Sequence, residues 1–130
     1  IEDLNEIFEI VPNKKIGLFE LSWSTSDFVE GDNDSQKIFV EKLFDFYAQN
    51  ESDIEFMTWF RYIDQQANSC VKKEQKIGEQ TITLGGGSLG TSEHVIERLN
   101  QYTCNTGLVD VNQNGKIGWN EFKTQIQMLN

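Results

Sequence analysis

The sequence predicts an all-α protein made of helix–loop–helix units, and three observations support this prediction. The chain of 130 residues contains one proline, a residue that interrupts helices. Residues 110–121 combine Asp, Asn and Gly in the pattern of a tight loop that connects two helices. Residues 36–47 place apolar side chains on one helical face, namely Ile38, Phe39, Leu43, Phe44 and Phe46.

The segment from Asp110 to Glu121 reads D-V-N-Q-N-G-K-I-G-W-N-E and satisfies every fixed position of the calcium-loop pattern D-x-[DN]-x-[DN]-G-x5-E. A Ca²⁺ ion prefers about six to eight oxygen ligands, and alternate positions of such a loop supply them. Gly115 occupies the sharp bend, where a positive φ favours a residue without Cβ. The expected ligands are the side chains of Asp110, Asn112, Asn114 and Glu121, the backbone carbonyl of Lys116, and a water on Gly118.

This segment resembles the EF-hand family at all of its signature positions. The resemblance implies paired helix–loop–helix hands whose loops are joined by short β bridges, with Ile117 in the bridging position. It also implies an exit helix from Glu121 with Phe122, Ile126 and Leu129 on one face. Because only two of the predicted ligands are charged, we expect an affinity of about 10⁻⁶ to 10⁻⁴ M. An ordinary polar turn, which uses the same residue types, is the alternative.

The first element in chain order is a degenerate copy of this unit. Aligning Ile16 with Ile117 places a predicted helix, Leu4 to Phe8, before a loop that begins at Glu9. This loop lacks most of the oxygen ligands, because Ile10, Val11, Pro12 and Lys14 stand at positions where oxygens and the glycine belong. The first hand is therefore expected to keep the fold without the ion.

A second degenerate copy follows the predicted helix over residues 36–47. Its loop runs from Tyr47 to Thr58 with Ile54 in the bridging position, and Thr58 replaces the final carboxylate. The two copies together predict an N-terminal lobe over residues 1–69 that does not bind calcium tightly.

Residues 70–91 are predicted to form an irregular, glycine-rich connector. Two alternatives are open for its first part: a degenerate third hand centred on Ile77, or a short strand from Gln80 to Leu84. A C-terminal lobe over residues 92–130 then carries the intact calcium loop, preceded by a helix with Val95, Ile96 and Leu99 facing inward.

Charge and motifs argue against several functions. The net charge of −10 and the pI of about 4.4 disfavour nucleic acid and favour cations or a basic partner. No segment approaches the roughly 20 apolar residues of a membrane span. Residues 86–90 fit the nucleophile-elbow pattern G-x-S-x-G, but the one histidine, His94, follows too closely to build a hydrolase triad. We therefore expect a protein that is not an enzyme.

The EF-hand resemblance implies a calcium-binding regulatory or light-chain-like subunit that grips an amphipathic, basic helix of a larger assembly. The alternative is a purely structural accessory subunit in which the Asp110 loop is static or empty. The groove for the helix would be lined by aromatic and aliphatic side chains, namely Phe39, Leu43, Phe44, Phe46, Phe56, Trp59 and Phe60.

The compartment is weakly indicated by the sequence. Cys70 and Cys104 lack CxxC spacing, which favours reduced thiols and a cytoplasmic or cytoskeletal location. Because the chain starts at Ile1, a cleaved targeting segment remains an alternative. Two glycosylation sequons, at Asn33 and Asn50, would matter only in a secreted protein.

Overall fold

A computed structural model describes residues 2–10, 13–71, 74–77, 80–83 and 93–129 of the chain. None of the described helices is long and apolar enough to cross a membrane. The elements in chain order are α1 (Glu2–Ile10), β1 (Ile16–Leu21), a short 3-10 helix (Asp27–Val29), α2 (Asn33–Gln49), β2 (Ile54–Trp59), β3 (Glu74–Ile77), β4 (Gln80–Thr83), α3 (Glu93–Cys104) and α4 (Ile117–Met128).

Strands β1 and β2 form a two-stranded parallel sheet, and α2 connects them. Parallel strands need a long crossover connection, which α2 supplies. The helix begins after Asp32, whose Oδ1 accepts the Ser35 N–H at 2.6 Å. It ends at Asn50, whose Nδ2 donates to the Phe46 carbonyl at 2.8 Å. Both helix ends are therefore capped by side chains.

One face of the sheet packs against α1 and α2. Leu18 of β1, Ile54 of β2 and Phe46 of α2 form a buried cluster, and Phe8 of α1 stacks on Phe46 with a centroid distance of 5.9 Å. Full burial of such a side chain contributes about 1.5–3 kcal/mol, so this cluster holds α2 against the sheet.

A second cluster packs α4 against α2. Val40, Phe44 and Leu108 are buried there, with Trp59, Trp119 and Phe122 packed around them. Next to this cluster lies the buried side chain of Gln36, whose Nε2 donates to the carbonyls of Trp23 and Gly107 at 2.9 and 3.1 Å. The segment that precedes the predicted calcium loop is thereby joined to α2.

The other face of the parallel sheet is largely open. Phe19 is 69% exposed and Phe56 is 38% exposed, and their rings meet edge to face at 4.7 Å. Phe56 lies over Gly17, where a Cβ would come within 2.3 Å of the Phe56 ring. Parallel sheets are almost always covered on both faces. Here only one face is covered by the residues that the structure describes.

The predicted all-α class is wrong, because the protein is mixed α/β with 15% strand. The predicted helices Leu4 to Phe8 and residues 36–47 lie within α1 and α2. In the two segments where hand loops were expected, the structure has strands: β1 follows α1, and β2 follows α2. Ile16 and Ile54, assigned to the bridging positions, do pair with each other, but as the first partners of two six-residue parallel strands. Both segments are rich in aliphatic and aromatic residues, which strands favour.

Residues 74–83 include an antiparallel hairpin of β3 and β4. Of the two alternatives for this region, the strand at Gln80 is the one observed, and β4 ends at Thr83. Leu84 and the G-x-S-x-G segment at residues 86–90 lie outside the described residues.

Candidate metal site

Residues 109–115 form a closed turn. Val109 and Gly115 make an antiparallel bridge, and within it the Asp110 N–H donates to the Asn114 carbonyl at 2.9 Å. The left-handed residue of the turn is Gln113, with φ 68°, and the φ of Gly115 lies outside the left-handed region. The prediction that Gly115 supplies the left-handed bend is therefore wrong, because the bend lies two residues earlier.

The Asp110 carboxylate organises this turn. Its Oδ1 accepts the N–H groups of Asn112 and Asn114, both at 2.8 Å, and its Oδ2 accepts the Asn114 side-chain amide at 3.0 Å. The side-chain and backbone hydrogen bonds from Asn114 hold the pKa of Asp110 below its ordinary value. An ionised, hydrogen-bonded carboxylate of this kind is a stable acceptor in a loop. Three of the predicted ligands are thus brought together.

Helix α4 begins at Ile117, inside the predicted calcium loop, and not at Glu121 as expected. Lys116 is the N-cap residue, and its carbonyl accepts the Trp119 N–H at 3.1 Å. This carbonyl is therefore used by the helix. Gly118 is buried in the first turn of α4, where a Cβ would come within 2.7 Å of the Gln36 Oε1. Gly118 therefore packs against the Gln36 side chain of α2.

The Glu121 carboxylate also has other partners. Its Oε1 accepts the Gln125 Nε2–H at 2.8 Å, and its Oε2 lies 3.8 Å from the Lys37 Nζ. Among the described residues there is no group of three or more His, Cys, Asp or Glu side chains that could hold a metal ion. The structure therefore gathers Asp110, Asn112 and Asn114 in one turn and places the other predicted ligands on α4 or its cap.

A buried ion pair beside this turn was not predicted from the sequence. The Lys116 Nζ lies 2.6 Å from the Asp64 Oδ2, and both side chains are 8% exposed. The same ammonium donates to the Thr25 Oγ1 at 2.8 Å and to the Asn105 carbonyl at 3.3 Å. The Asp64 Oδ1 accepts the Gly107 N–H at 2.7 Å. All three ammonium hydrogens thus have an acceptor, which is the condition for a buried cation.

The charge of Lys116 acts on two carboxylates. Burial raises the pKa of Asp64 above its ordinary value, against the opposing effect of the Lys116 hydrogen bond and charge. The same ammonium also contributes to the lowered pKa of Asp110. A positive charge next to the loop is therefore already present in the folded chain.

Sequence reasoning overlooked this pair for a physical reason. Lys116 stands at the seventh position of the calcium pattern, which assigns a role only to the backbone carbonyl. The sequence offers one signal for the pair: Lys116 lies between the polar residues of the loop and the apolar start of α4. Asp64 carried no signal, because its contact with Lys116 spans 52 residues of chain and depends on the fold.

A second candidate site lies at the carboxyl end of β1. Glu20 has a left-handed backbone with φ 57°, and the strand register shifts beside it, between Leu18 and Leu21. Left-handed bulge residues are usually glycine. Ligands of open parallel sheets bind beyond the carboxyl ends of the strands, and strained residues concentrate at functional sites.

Replacing Glu20 with glycine is expected to raise the free energy of unfolding by about 1 kcal/mol, because glycine adopts this φ without strain. Urea denaturation measures the change. The matched control is Glu55→Gly, at the extra residue of the other register shift. Glu55 has no positive φ, so this control should lose about 0.5–1 kcal/mol. A loss of stability in both variants would contradict the assignment of strain to Glu20.

The predicted helix-binding groove is divided in the structure. Four of its seven residues line a half-open cavity of about 230 Å³ between α2, β2 and α4. Phe46 lies in the buried core, and Phe39 packs between Trp23 and Trp59. A cavity of about 150 Å³ holds one benzene ring, so this one has room for a few side-chain groups. The cavity-lining groove residues are Leu43, Phe44, Phe56 and Trp59.

The two cysteines are joined by a disulfide between Cys70 and Cys104, with a Cα–Cα distance of 5.6 Å. The expectation of free thiols is therefore wrong. The bond ties the segment after β2 to the end of α3. The Asn100 side chain reinforces this tie, because its Oδ1 accepts the N–H groups of Cys70 and Val71 at 3.1 and 2.8 Å.

Comparison of the chain with protein-family models, with curated proteins and with solved structures gives no match.

Proposed function

We propose that the protein is a structural accessory subunit whose Asp110 loop is a static brace that works without a calcium ion. The observation that supports this proposal best is the buried Lys116 ammonium, 2.6 Å from the Asp64 carboxylate. A calcium ion in the loop would be repelled by this fixed positive charge, whose electrostatic effect reaches the Asp110 carboxylate.

The ammonium performs the cross-linking that a structural metal ion would otherwise provide. It joins the segment after β2 at Asp64, the segment before α2 at Thr25, and the end of α3 at Asn105. Lys116 is itself the N-cap of α4. The pair therefore positions α4 relative to the parallel sheet and to α3.

The open face of the sheet is the surface through which such a subunit would join a larger assembly. Phe19 and Phe56 form an exposed aromatic pair there. Because parallel sheets are normally buried on both faces, a covering partner would complete the usual arrangement. The predicted amphipathic, basic helix remains one candidate for that partner.

If the protein were a calcium-binding regulatory subunit, the loop would have to rearrange before it could bind the ion. The first turn of α4, from Ile117, would have to unwind so that the Lys116 carbonyl could turn toward the ion. Glu121 would have to leave Gln125 and Lys37. The feature that favours this alternative is the match of residues 110–121 to every fixed position of the calcium pattern.

Stability measured with and without calcium distinguishes these two functions. Binding at a hundred times the dissociation constant would add about 2.7 kcal/mol to the free energy of unfolding. We expect urea denaturation to give the same value in millimolar calcium and in chelator. Stabilisation by calcium that disappears in Glu121→Ala would contradict the static brace and support the regulatory alternative.

A second candidate function is ligand binding at the carboxyl edge of β1 and β2. The strained backbone of Glu20 favours it. The exposed Glu20 side chain lies near the end of β1, and the backbone N–H of Glu20 donates to the Thr58 Oγ1 of β2 at 3.2 Å. The comparison of Glu20→Gly with Glu55→Gly described above tests the strain on which this function depends.

A further inference from the structure

Two segments of the chain match the acceptor pattern for N-linked glycans, Asn33-Asp34-Ser35 and Asn50-Glu51-Ser52. They lie at opposite ends of α2: Asn33 is its first residue and Asn50 is its C-cap. The pattern alone is weak, because such triplets also occur by chance. The structure supplies two further observations, the environment of each asparagine and the state of the cysteines.

The Asn33 side chain is exposed at the start of α2. No hydrogen bond to it is found in the part of the chain that the structure describes. The cap of the helix uses the Asp32 carboxylate, which accepts the Ser35 backbone N–H and also interacts with the Ser35 hydroxyl, so it does not require the Asn33 amide. A glycan on the Asn33 Nδ2 would extend into solvent and leave the cap intact.

Asn50 is in a different environment. Its side chain is half-buried, and the Nδ2 donates to the Phe46 carbonyl at 2.8 Å, which satisfies one of the last carbonyls of α2. The hydroxyl of Ser52 donates to the Asp53 carboxylate at 2.9 Å. A glycan at Asn50 would crowd the turn into β2, so the fold accommodates it poorly.

The disulfide between Cys70 and Cys104 is the second observation. Disulfides form and persist in oxidising compartments such as the secretory pathway, where N-linked glycans are also added. The two observations are independent, because the disulfide joins α3 to the segment after β2 and involves no residue of the sequon at the start of α2.

We propose that Asn33 is an N-glycosylation site and that the protein matures in an oxidising secretory compartment. The donor is a lipid-linked oligosaccharide pyrophosphate. The Asn33 Nδ2 forms a bond to C1 of the first sugar while the bond from C1 to the phosphate oxygen breaks. The lipid pyrophosphate leaves, and one Nδ2 proton passes to a base of the transferase. No oxidation or reduction occurs in this step.

The test is glycopeptide mapping of the full chain expressed in a eukaryotic secretory host, before and after enzymatic deglycosylation. The variants are Ser35→Ala and Ser52→Ala, each of which destroys one sequon and keeps its asparagine. Ser35→Ala also keeps the backbone N–H that caps α2. Secreted and cell-retained protein are both mapped, so poor secretion of a variant does not prevent the measurement.

We expect a glycan on Asn33 in most molecules, with complete loss of that glycan mass in Ser35→Ala and no change in Ser52→Ala. An unmodified Asn33 in protein whose cysteines are oxidised would overturn the proposal. Equal occupancy of Asn33 and Asn50 would overturn the structural discrimination between the two sequons. This inference does not depend on the proposed role of the Asp110 loop.

Discussion

Replacing Lys116 with methionine is expected to lower the free energy of unfolding by about 3–5 kcal/mol at neutral pH, because it leaves the Asp64 carboxylate buried without its partner. Both side chains are 8% exposed, so water cannot replace the lost charge. Urea denaturation measures the change. Lys42→Met, at an exposed position of α2, is the matched control and should change stability by less than about 0.5 kcal/mol.

The loss in Lys116→Met should depend on pH in a defined direction. Burial already raises the pKa of Asp64 above its ordinary value of 3.8, and removal of the ammonium raises it further. A carboxyl with a raised pKa in the folded state favours folding while it is protonated, and this contribution is lost as the pH rises through the folded pKa. The variant should therefore be closest to wild type in acid and furthest from it at neutral pH.

A second variant separates loss of charge from general damage. Asp64→Asn combined with Lys116→Met removes both charges and keeps an oxygen that can accept the Gly107 N–H. We expect this double variant to recover most of the lost stability, because no buried charge is left unpaired. A loss below about 1 kcal/mol in Lys116→Met, or no recovery in the double variant, would contradict the buried pair.

Replacing Gly107 with alanine is expected to cost about 3 kcal/mol, at the upper end of the usual range for overpacking. The added Cβ would come within 2.3 Å of the Asp64 backbone nitrogen and 2.6 Å of the Ile63 carbonyl carbon. These are backbone atoms, so the chain must move. The movement also disturbs the Gly107 N–H bond to Asp64 and the Gln36 bond to the Gly107 carbonyl.

Gly115→Ala is the control for this prediction. Its Cβ would meet the Trp119 side chain at 2.8 Å, and a side chain can rotate away. Because the φ of Gly115 lies outside the left-handed region, we expect a loss below about 1 kcal/mol. The calcium-loop hypothesis predicts the opposite order, since it places the obligatory left-handed glycine at Gly115. Thermal unfolding of the two variants therefore distinguishes the two descriptions of the loop.

The helices were predictable from the sequence where apolar residues recur at helical spacing. The run over residues 36–47 lies within α2. The strands lie where the alignment of Ile16 and Ile54 with Ile117 predicts loops, because that alignment depends on one apolar position in each segment. The full segments Ile16–Leu21 and Ile54–Trp59 read as strands. That they pair in parallel depends on the crossover by α2, which is a tertiary relation and not a local one.

Only one part of the candidate metal site is predictable from the sequence, namely the turn around Asp110. The turn around Asp110 is set by hydrogen bonds to Asn112 and Asn114, and these residues are neighbours in sequence. The contact of Lys116 with Asp64 joins residues that are far apart in the chain, as does that of Cys70 with Cys104. Such pairs are fixed by the packing of α3 and α4, which no local pattern specifies.

Calorimetric titration of the metal-stripped protein with calcium, in millimolar magnesium, tests the static brace most directly. The variants Glu121→Ala and Lys116→Met are titrated beside the wild type. We expect no saturable heat from the wild type or from Glu121→Ala, because the Lys116 ammonium already supplies the positive charge beside the loop. One saturable site in the wild type that is lost in Glu121→Ala would contradict this account and establish residues 110–121 as a working calcium loop.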